Sequence, residues 1–210
     1  MVNLTKKIHF MLASLLLLPA ISIFAQNSES LSLDYVCNVL ASHNVTEGNF
    51  VQKKHSAKDG RNLVSMGTFV FSKEAIILNT TTPIASKMGI TPKGLITENA
   101  NGQRRVIDNS ENQTFTSIAY IIGAMFTGNK EALESYFVCQ LSGTPKNWTL
   151  VLSPKDVTLA STITSLEIKG SSTITSFVMK LGGNTTTTTL SNQTFRDTLS
   201  DEHKKFLLAQ

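Results

Sequence analysis

The residues that most often carry out catalysis or bind metal ions are few in this chain and lie far apart. Beyond residue 25 there are three histidines, His43, His55 and His203. A zinc site built on one helix needs two ligands about one turn apart, and none of the three has a second ligand at that spacing. The Asp201-Glu202-His203 run lacks the second histidine of a zinc-protease helix. The pattern therefore predicts no metal site.

Motifs of covalent and nucleotide chemistry are also missing from the sequence. It contains no Gly-x-Ser-x-Gly nucleophile elbow, no glycine-rich phosphate-binding loop and no Cys-x-x-Cys pair. The carboxylates stand singly along expected turns and strand ends. We therefore predict that the protein is not an enzyme and that it requires no cofactor.

The two cysteines, Cys37 and Cys139, offer one covalent possibility. In an oxidising compartment they could form a single long-range disulfide. The alternative is a pair of buried thiols that pack as small apolar side chains. The distance between their Cα atoms decides between the two, so the sequence leaves both open.

The N-terminus predicts export. Lys6 and Lys7 precede a mostly apolar run over residues 8–24, which is the pattern of a secretory signal peptide cleaved after Ala25. A retained membrane anchor is the rival, but the run is shorter than the roughly 20 residues of a spanning helix and contains Pro19. Residues 1–25 are thus predicted to be a signal peptide and residues 26–210 a single soluble domain.

The charge balance argues against nucleic acid as a partner. The chain has 19 basic and 15 acidic residues, and removal of Lys6 and Lys7 leaves 17 against 15. Binding to phosphates requires clustered cations, which the mature sequence does not show.

The elements that must position any site follow from hydrophobic periodicity. Apolar spacings of three and four predict a helix over 33–42, capped by Ser32, and two more over 115–126 and 129–135. Alternation and turn residues predict strands before and after the two central helices. These strands lie near Phe50–His55 and over 63–71, 75–80, 94–98, 104–108, 135–142, 148–153, 163–169, 173–181 and 185–191. After the last strand, residues 202–207 are predicted to form a terminal helical turn that packs Phe206.

This order of elements predicts an α+β fold. Runs of strands with helices inserted between them indicate an antiparallel sheet covered by helices on one face. A sheet of about 10–11 strands must curl, which gives an incomplete, half-open barrel with helices over its concave apolar face. The helix over 115–126 has no charged residue between Glu111 and Lys130, so it must be buried or must cover something apolar.

Several motifs in this order resemble those of the periplasmic outer-membrane lipoprotein carrier (LolA-like) family. That family often has Phe-x-Gln, frequently followed by Lys, on its first strand. The similarity extends over nearly the whole mature chain. It rests on the predicted signal peptide, the first helix, the mid-chain helices and six short segments. These segments are Phe50-Val-Gln-Lys53, Gly67-Thr-Phe69, Ser72-Lys73, Thr80-Thr-Thr-Pro83, Ile90-Thr-Pro-Lys-Gly94 and Trp148-Thr-Leu-Val-Leu-Ser-Pro154.

The resemblance implies a periplasmic carrier with an apolar cavity beneath a helical lid. Such carriers take the acyl chains of a lipoprotein from an inner-membrane donor complex and deliver them to an outer-membrane acceptor. Each acyl CH₂ in water costs roughly 0.8 kcal/mol, so a long chain needs cover to cross an aqueous space. We expect a monomer whose cargo is the acyl chains of a lipoprotein or of another lipid.

One position departs from the family pattern. Where the family commonly has an arginine near the end of the second strand, followed by proline, this chain has Lys73 and Glu74, and Asn79 replaces an aromatic residue on the next strand. The arginine is thought to hold the lid by hydrogen bonds. Lys73 has the charge without the planar guanidinium, so it is either a looser lid latch or an ordinary solvated charge.

The more apolar face of each strand, together with the central helix, predicts the residues that line the cavity. Phe50, Phe69 and Phe71 are expected to point inward, whereas Gln52 and the lysines of the first strand should face water or the rim. The predicted lipid-binding residues are Phe50, Met66, Phe69, Phe71, Ile76, Leu78, Ile118, Ile121, Ile122, Met125, Phe137, Trp148, Leu150, Phe177 and Met179.

A second class of function fits the same pattern. The Thr- and Asn-rich strands could belong to a secreted structural or adhesive β-protein whose interior is fully packed and which binds partners on its outer surface. Binding of lipid or of an apolar dye at about one site per molecule distinguishes the carrier from this alternative.

Overall fold

The computed structural model describes residues 30–108, 120–121 and 123–208. The predicted signal peptide lies outside these residues. Within the described part of the chain, no helix is both long and apolar enough to cross a membrane.

Within the described ranges, eleven strands form one antiparallel sheet in the order β6-β5-β4-β3-β2-β1-β11-β10-β9-β8-β7. No pairing closes β6 onto β7 among the described residues, so the sheet is an open barrel with these two strands at its edges. The strands are β1 Val45–His55, β2 Asn62–Ser72, β3 Ile76–Thr82, β4 Ser86–Thr91, β5 Gly94–Asn99, β6 Arg104–Asp108, β7 Phe137–Thr144, β8 Asn147–Pro154, β9 Ile163–Gly170, β10 Ile174–Leu181 and β11 Asn184–Arg196.

The helices are short and begin at polar caps. Ser32 accepts a hydrogen bond from the Tyr35 N–H at 3.0 Å, as the sequence predicted, and Asn129 and Asp156 cap two later helices in the same way. The helical segments are α1 Leu33–Ala41, α2 over residues 120–121 and 123–127, α3 Lys130–Tyr136, α4 Val157–Thr162 and α5 Asp201–Leu208.

The predicted fold class is confirmed, with two elements that the sequence analysis missed. Strand β4 contains Lys87, Met88 and Gly89 at its centre, and this stretch has neither β-branched residues nor a clear apolar alternation. Helix α4 has six residues, too few to establish helical periodicity. Pairing with β3 and β5 holds β4 in place, and α4 is held by its Asp156 cap and its contacts with β8 and β9.

Two apolar clusters lie on opposite faces of the sheet. The larger one joins the concave face to α1, α2 and α3 and includes Phe50, Phe71 and Trp148. The smaller one lies on the convex face beneath the C-terminal segment and includes Val70 and Phe206. Because side chains alternate along a strand, the Phe69-Val70-Phe71 run of β2 contributes to both clusters.

Gly48 of β1 allows neighbouring groups to pack closely against the strand backbone. A Cβ atom on Gly48 would lie 2.7 Å from the Ser191 carbonyl oxygen and 2.9 Å from the Phe69 ring. The pairing of β1 with β11 shifts register between Glu47 and Asn49. Gly48 therefore lets the strand bend while the Phe69 ring packs against its backbone.

Candidate functional site

A row of aromatic rings joins the sheet to its helical cover. The centroid of the Phe71 ring lies 4.4 Å from that of the Phe69 ring and 3.6 Å from that of the Phe126 ring. Phe126 belongs to α2. Phe126 in turn meets Phe177 of β10 edge-on at 5.9 Å. Helix α2 thus inserts an aromatic side chain between strands from the two halves of the sheet, over its concave face.

Most of the predicted lining residues meet in the concave cluster. Two of them, Ile118 and Ile122, lie outside the described residues. Those that are fully buried there are Phe50, Phe69, Phe71, Ile76, Ile121, Met125, Phe137, Trp148 and Leu150, and those packed against the cluster and half-buried are Leu78, Phe177 and Met179. Their placement fits a lining role, and their binding of lipid stays a prediction.

The placement of Met66 on the concave face was wrong. Met66 is 42% exposed and pairs with Val51, another exposed apolar residue. It is an odd number of residues from Phe69 and Phe71, so alternation sends it to the convex face when those two rings point inward. Sequence alone allowed either face because both carry apolar residues.

Gln52 also differs from the expectation that it faces water or the rim. It lies two residues after Phe50 on the same face of β1, half-buried, and its Nε2 donates to Thr188 Oγ1 at 3.3 Å. Thr188 is itself buried. The concave face therefore carries a polar strip beside its aromatic residues.

A pocket of about 300 Å³ opens between α2 and the turns that follow β2 and β4. Its walls are mainly apolar, with Ile76 and Ile90 from the sheet and Ala124 from α2. Exposed Lys73 and Glu74 stand among its polar lining residues. The described residues that line it are Ser72, Lys73, Glu74, Ala75, Ile76, Ile90, Thr91, Pro92, Tyr120, Gly123, Ala124, Thr127 and Asn129.

Lys73 therefore stands where the sheet meets the helical cover. It makes no hydrogen bond or ion pair with another described residue, and it lines the pocket together with Tyr120 and Gly123 of α2. This position is compatible with contact to a helical lid. A latch role for Lys73 stays a prediction.

Two lining residues of this site, Phe126 and Ile90, were not predicted from the sequence. Phe126 was assigned to an apolar helix but not to the lining, although its position at the end of that apolar run was a usable signal. The contribution of Ile90 depends on β4, which was not predicted. Ile90 pairs with Ile76 across the sheet and completes the pocket wall.

Cys37 and Cys139 are free thiols in the structure. Burial in α1, with a smaller contribution from Asp34, raises the pKa of Cys37 to about 11. Burial also raises the pKa of Cys139, and Glu134 adds to the effect. Both thiols are therefore poor nucleophiles at neutral pH, and in the structure they pack with the apolar side chains of the concave cluster.

No group of three or more His, Cys, Asp or Glu side chains that could hold a metal ion occurs in the described part of the chain. The chemistry available on the concave face is thus apolar contact, with a polar strip at Gln52 and Thr188 and charge at Lys73 and Glu74.

Comparison with solved structures finds partial similarity to several proteins. A LolA superfamily protein from Nitrosomonas europaea shares 11% identity at a TM-score of 0.45, with 81% of this chain and 94% of that chain covered. A DUF1329 family protein from Desulfovibrio piger shares 9% identity at a TM-score of 0.44, with coverage of 81% and 93%. The lipoprotein LppX of Mycobacterium tuberculosis shares 6% identity at a TM-score of 0.41, with coverage of 79% and 93%.

No curated protein sequence matches the chain significantly. A family model, described as outer membrane lipoprotein carrier protein LolA-like, matches residues 25–190, and the chain belongs to this family.

Proposed function

We propose that the protein is a periplasmic carrier that shields the acyl chains of a lipoprotein, or of another lipid, against the concave face of its open barrel. In this role it receives cargo from an inner-membrane donor and releases it to an outer-membrane acceptor. Its family membership and its helix-covered apolar face support the proposal.

The observation that carries the proposal is the insertion of α2 over the concave face, next to an open pocket. The pocket, about 300 Å³, lies at the low end of the roughly 300–1,000 Å³ typical of small-molecule sites. A long acyl chain needs more room than this, so it would have to displace part of α2. In the unloaded protein, Phe126 then occupies the space between Phe71 and Phe177 that cargo takes when it binds.

Helix α2 ends at a glycine, which is the point about which we propose that it moves. Gly128 follows the helix with φ +63°, and a Cβ atom there would clash with the Cys37 carbonyl group of α1. A glycine in this left-handed conformation lets the chain reverse sharply between α2 and α3. Movement about this point would lift Phe126 while α3 stays packed through Leu133.

The energy of acyl burial is sufficient to drive such a movement. At roughly 0.8 kcal/mol for each CH₂ removed from water, about a dozen methylenes gain roughly 10 kcal/mol. Displacement of Phe126 costs less than this: about 1.5–3 kcal/mol for burial of its side chain and about 0.5–1.5 kcal/mol for each of its pairs with Phe71 and Phe177. Cargo of long chain length should therefore open the cover, whereas short fatty acids should not.

Titration with an environment-sensitive apolar dye tests the proposed function. We expect saturable binding at about one site per molecule, with displacement by a sixteen-carbon fatty acid and not by a six-carbon one. A structural or adhesive β-protein with a fully packed interior would bind neither dye nor fatty acid, and that result would rule out the carrier function.

A further inference from the structure

The C-terminal segment, with helix α5, covers part of the convex face of the sheet. Leu199 and Phe206 pack there over Val45, Val70, Ile77 and Ile96, in a cluster separate from the concave one. Phe206 is 5% exposed and is the only buried residue among the eight of α5. Leu207 packs half-buried against the same cluster, so the helix contacts the sheet through Phe206 and Leu207.

Three residues form a fitted slot for this side chain, which we call the Phe206 slot: Lys87, Gly89 and Arg104. Gly89 is the floor, since a Cβ atom there would lie 2.9 Å from the ring. The Lys87 ammonium group lies 4.7 Å from the centroid of the Phe206 ring, and the Arg104 guanidinium group lies 5.0 Å from it. Both groups therefore make cation–π contacts with the ring. Arg104 also donates to the Phe206 carbonyl oxygen at 2.7 Å.

The positive charge of the Phe206 slot complements the negative charge at the start of α5. Lys87 donates to the Glu202 carboxylate at 3.1 Å, and this hydrogen bond lowers the pKa of Glu202. Asp201 and Glu202 form the first turn of α5, where carboxylates suit the positive end of the helix dipole. A basic slot thus holds a helix with an acidic start and a phenylalanine one turn later.

The ring of Phe206 fits the slot, but the rest of the interface between α5 and the sheet leaves polar groups without partners. Eight residues are too few for a helix that is stable on its own. Among the described residues, the buried side-chain nitrogen and oxygen atoms without a hydrogen bond are Glu47 Oε1, His203 Nδ1 and Arg104 Nε, and all three lie at or beside this interface. His203 Nδ1 and Glu47 Oε1 are 3.6 Å apart. Unmet hydrogen bonds of this kind weaken an interface and favour a better-fitting competitor.

We propose that the Phe206 slot is a docking site for an acidic, phenylalanine-bearing amphipathic helix of a partner protein, and that α5 occupies it in the free molecule. The partner helix takes the place of α5, with its aromatic side chain between Lys87 and Arg104 and its carboxylates toward Lys87. This site lies on the opposite face of the sheet from the proposed lipid site and does not depend on lipid binding.

A peptide with the sequence of residues 197–208, labelled with a fluorophore, is a direct probe of the slot. In the full chain with Phe206→Ala, α5 lacks the side chain that fills the slot, so we expect the peptide to bind with at least tenfold higher affinity than to the wild type, as followed by fluorescence anisotropy. The matched variant Leu208→Ala changes an exposed apolar residue of the same helix and should behave as the wild type.

Two controls tie the binding to the slot. A peptide in which the phenylalanine is replaced by alanine should lose binding to the Phe206→Ala protein. The double variant Arg104→Ala, Phe206→Ala should lose binding of the original peptide, because it lacks both the cation and the donor to the carbonyl group.

Hydrogen exchange of the wild type gives an independent measurement. The amides of α5 should exchange well before those of β1, since the helix must leave the slot without unfolding of the sheet. Exchange of α5 only together with the sheet would overturn the proposal. So would failure of the peptide to bind a Phe206→Ala protein whose circular dichroism and apolar-dye binding match those of the wild type.

Discussion

Replacing Met179 with aspartate is expected to weaken the binding of a long-chain acyl ligand by about 30-fold or more, which corresponds to roughly 2 kcal/mol. Met179 lies half-buried against the concave cluster, on the same face of β10 as Phe177. A carboxylate there would lose hydration when an acyl chain covers it, and an unpaired charge in apolar surroundings is costly. Dye displacement by a sixteen-carbon fatty acid measures the change.

The neighbouring residue offers a matched control for this variant. Val178 is half-buried on the same strand but points to the opposite face. Val178→Asp should change acyl affinity by less than about threefold, a difference under roughly 0.7 kcal/mol. Equal losses in the two variants would mean that the ligand does not bind the concave face.

Replacing Trp148 with alanine is expected to lower the free energy of unfolding by about 3–5 kcal/mol, the usual cost of removing a large aromatic residue from a core. Trp148 is fully buried in the concave cluster, and its Nε1 donates to the Ser171 carbonyl oxygen at 2.8 Å. Its ring packs directly against Gly170, where a Cβ atom would clash with it. The side chain therefore fixes the β9–β10 turn to the start of β8.

Urea denaturation followed by circular dichroism measures this loss. Thr149→Ala serves as the control, because Thr149 follows Trp148 on β8, points to the other face and is half-buried. Its effect should stay near 1 kcal/mol or below, as for most substitutions outside a core. A Trp148→Ala protein as stable as the Thr149→Ala protein would show that Trp148 lines a space already open to solvent.

Much of the fold could be predicted from sequence because its signals are local. The Arg104–Asp108 strand was predicted at its observed bounds, and the helices near Leu33 and Lys130 to within one or two residues. Each has clear periodicity, turn residues at its ends or a polar cap. Strand β4 lacks apolar alternation and helix α4 is too short for helical periodicity, although Asp156 caps α4. Contacts with neighbouring strands therefore contribute more to their conformation than local preference does.

The direction in which each side chain points depends on register, which a single strand does not reveal. The predicted lining included both Met66 and Phe69, although residues three apart on one strand face opposite sides. Pairing of Phe50 with Gly67 and of Val51 with Met66 resolves the choice. Gln52 is inward for the same reason, despite its polarity.

The pocket and the convex slot could not be predicted, because each joins residues distant in sequence. The pocket combines two strand turns with α2, and the slot combines β4 and β6 with the C-terminal helix. The sequence did predict a terminal helical turn that packs Phe206, but not the surface on which it packs. Only the curvature and order of the strands bring these groups together.

Analysis of co-purified lipid tests the carrier function most directly. The protein should be purified without detergent from the periplasm of cells that express the full chain, then extracted with organic solvent and examined by mass spectrometry. We predict close to one molecule of acyl lipid per protein, with much less in the Met179→Asp variant than in the Val178→Asp variant. Absence of acyl lipid from the wild type, together with failure to take up fatty acid when it is added, would contradict the account.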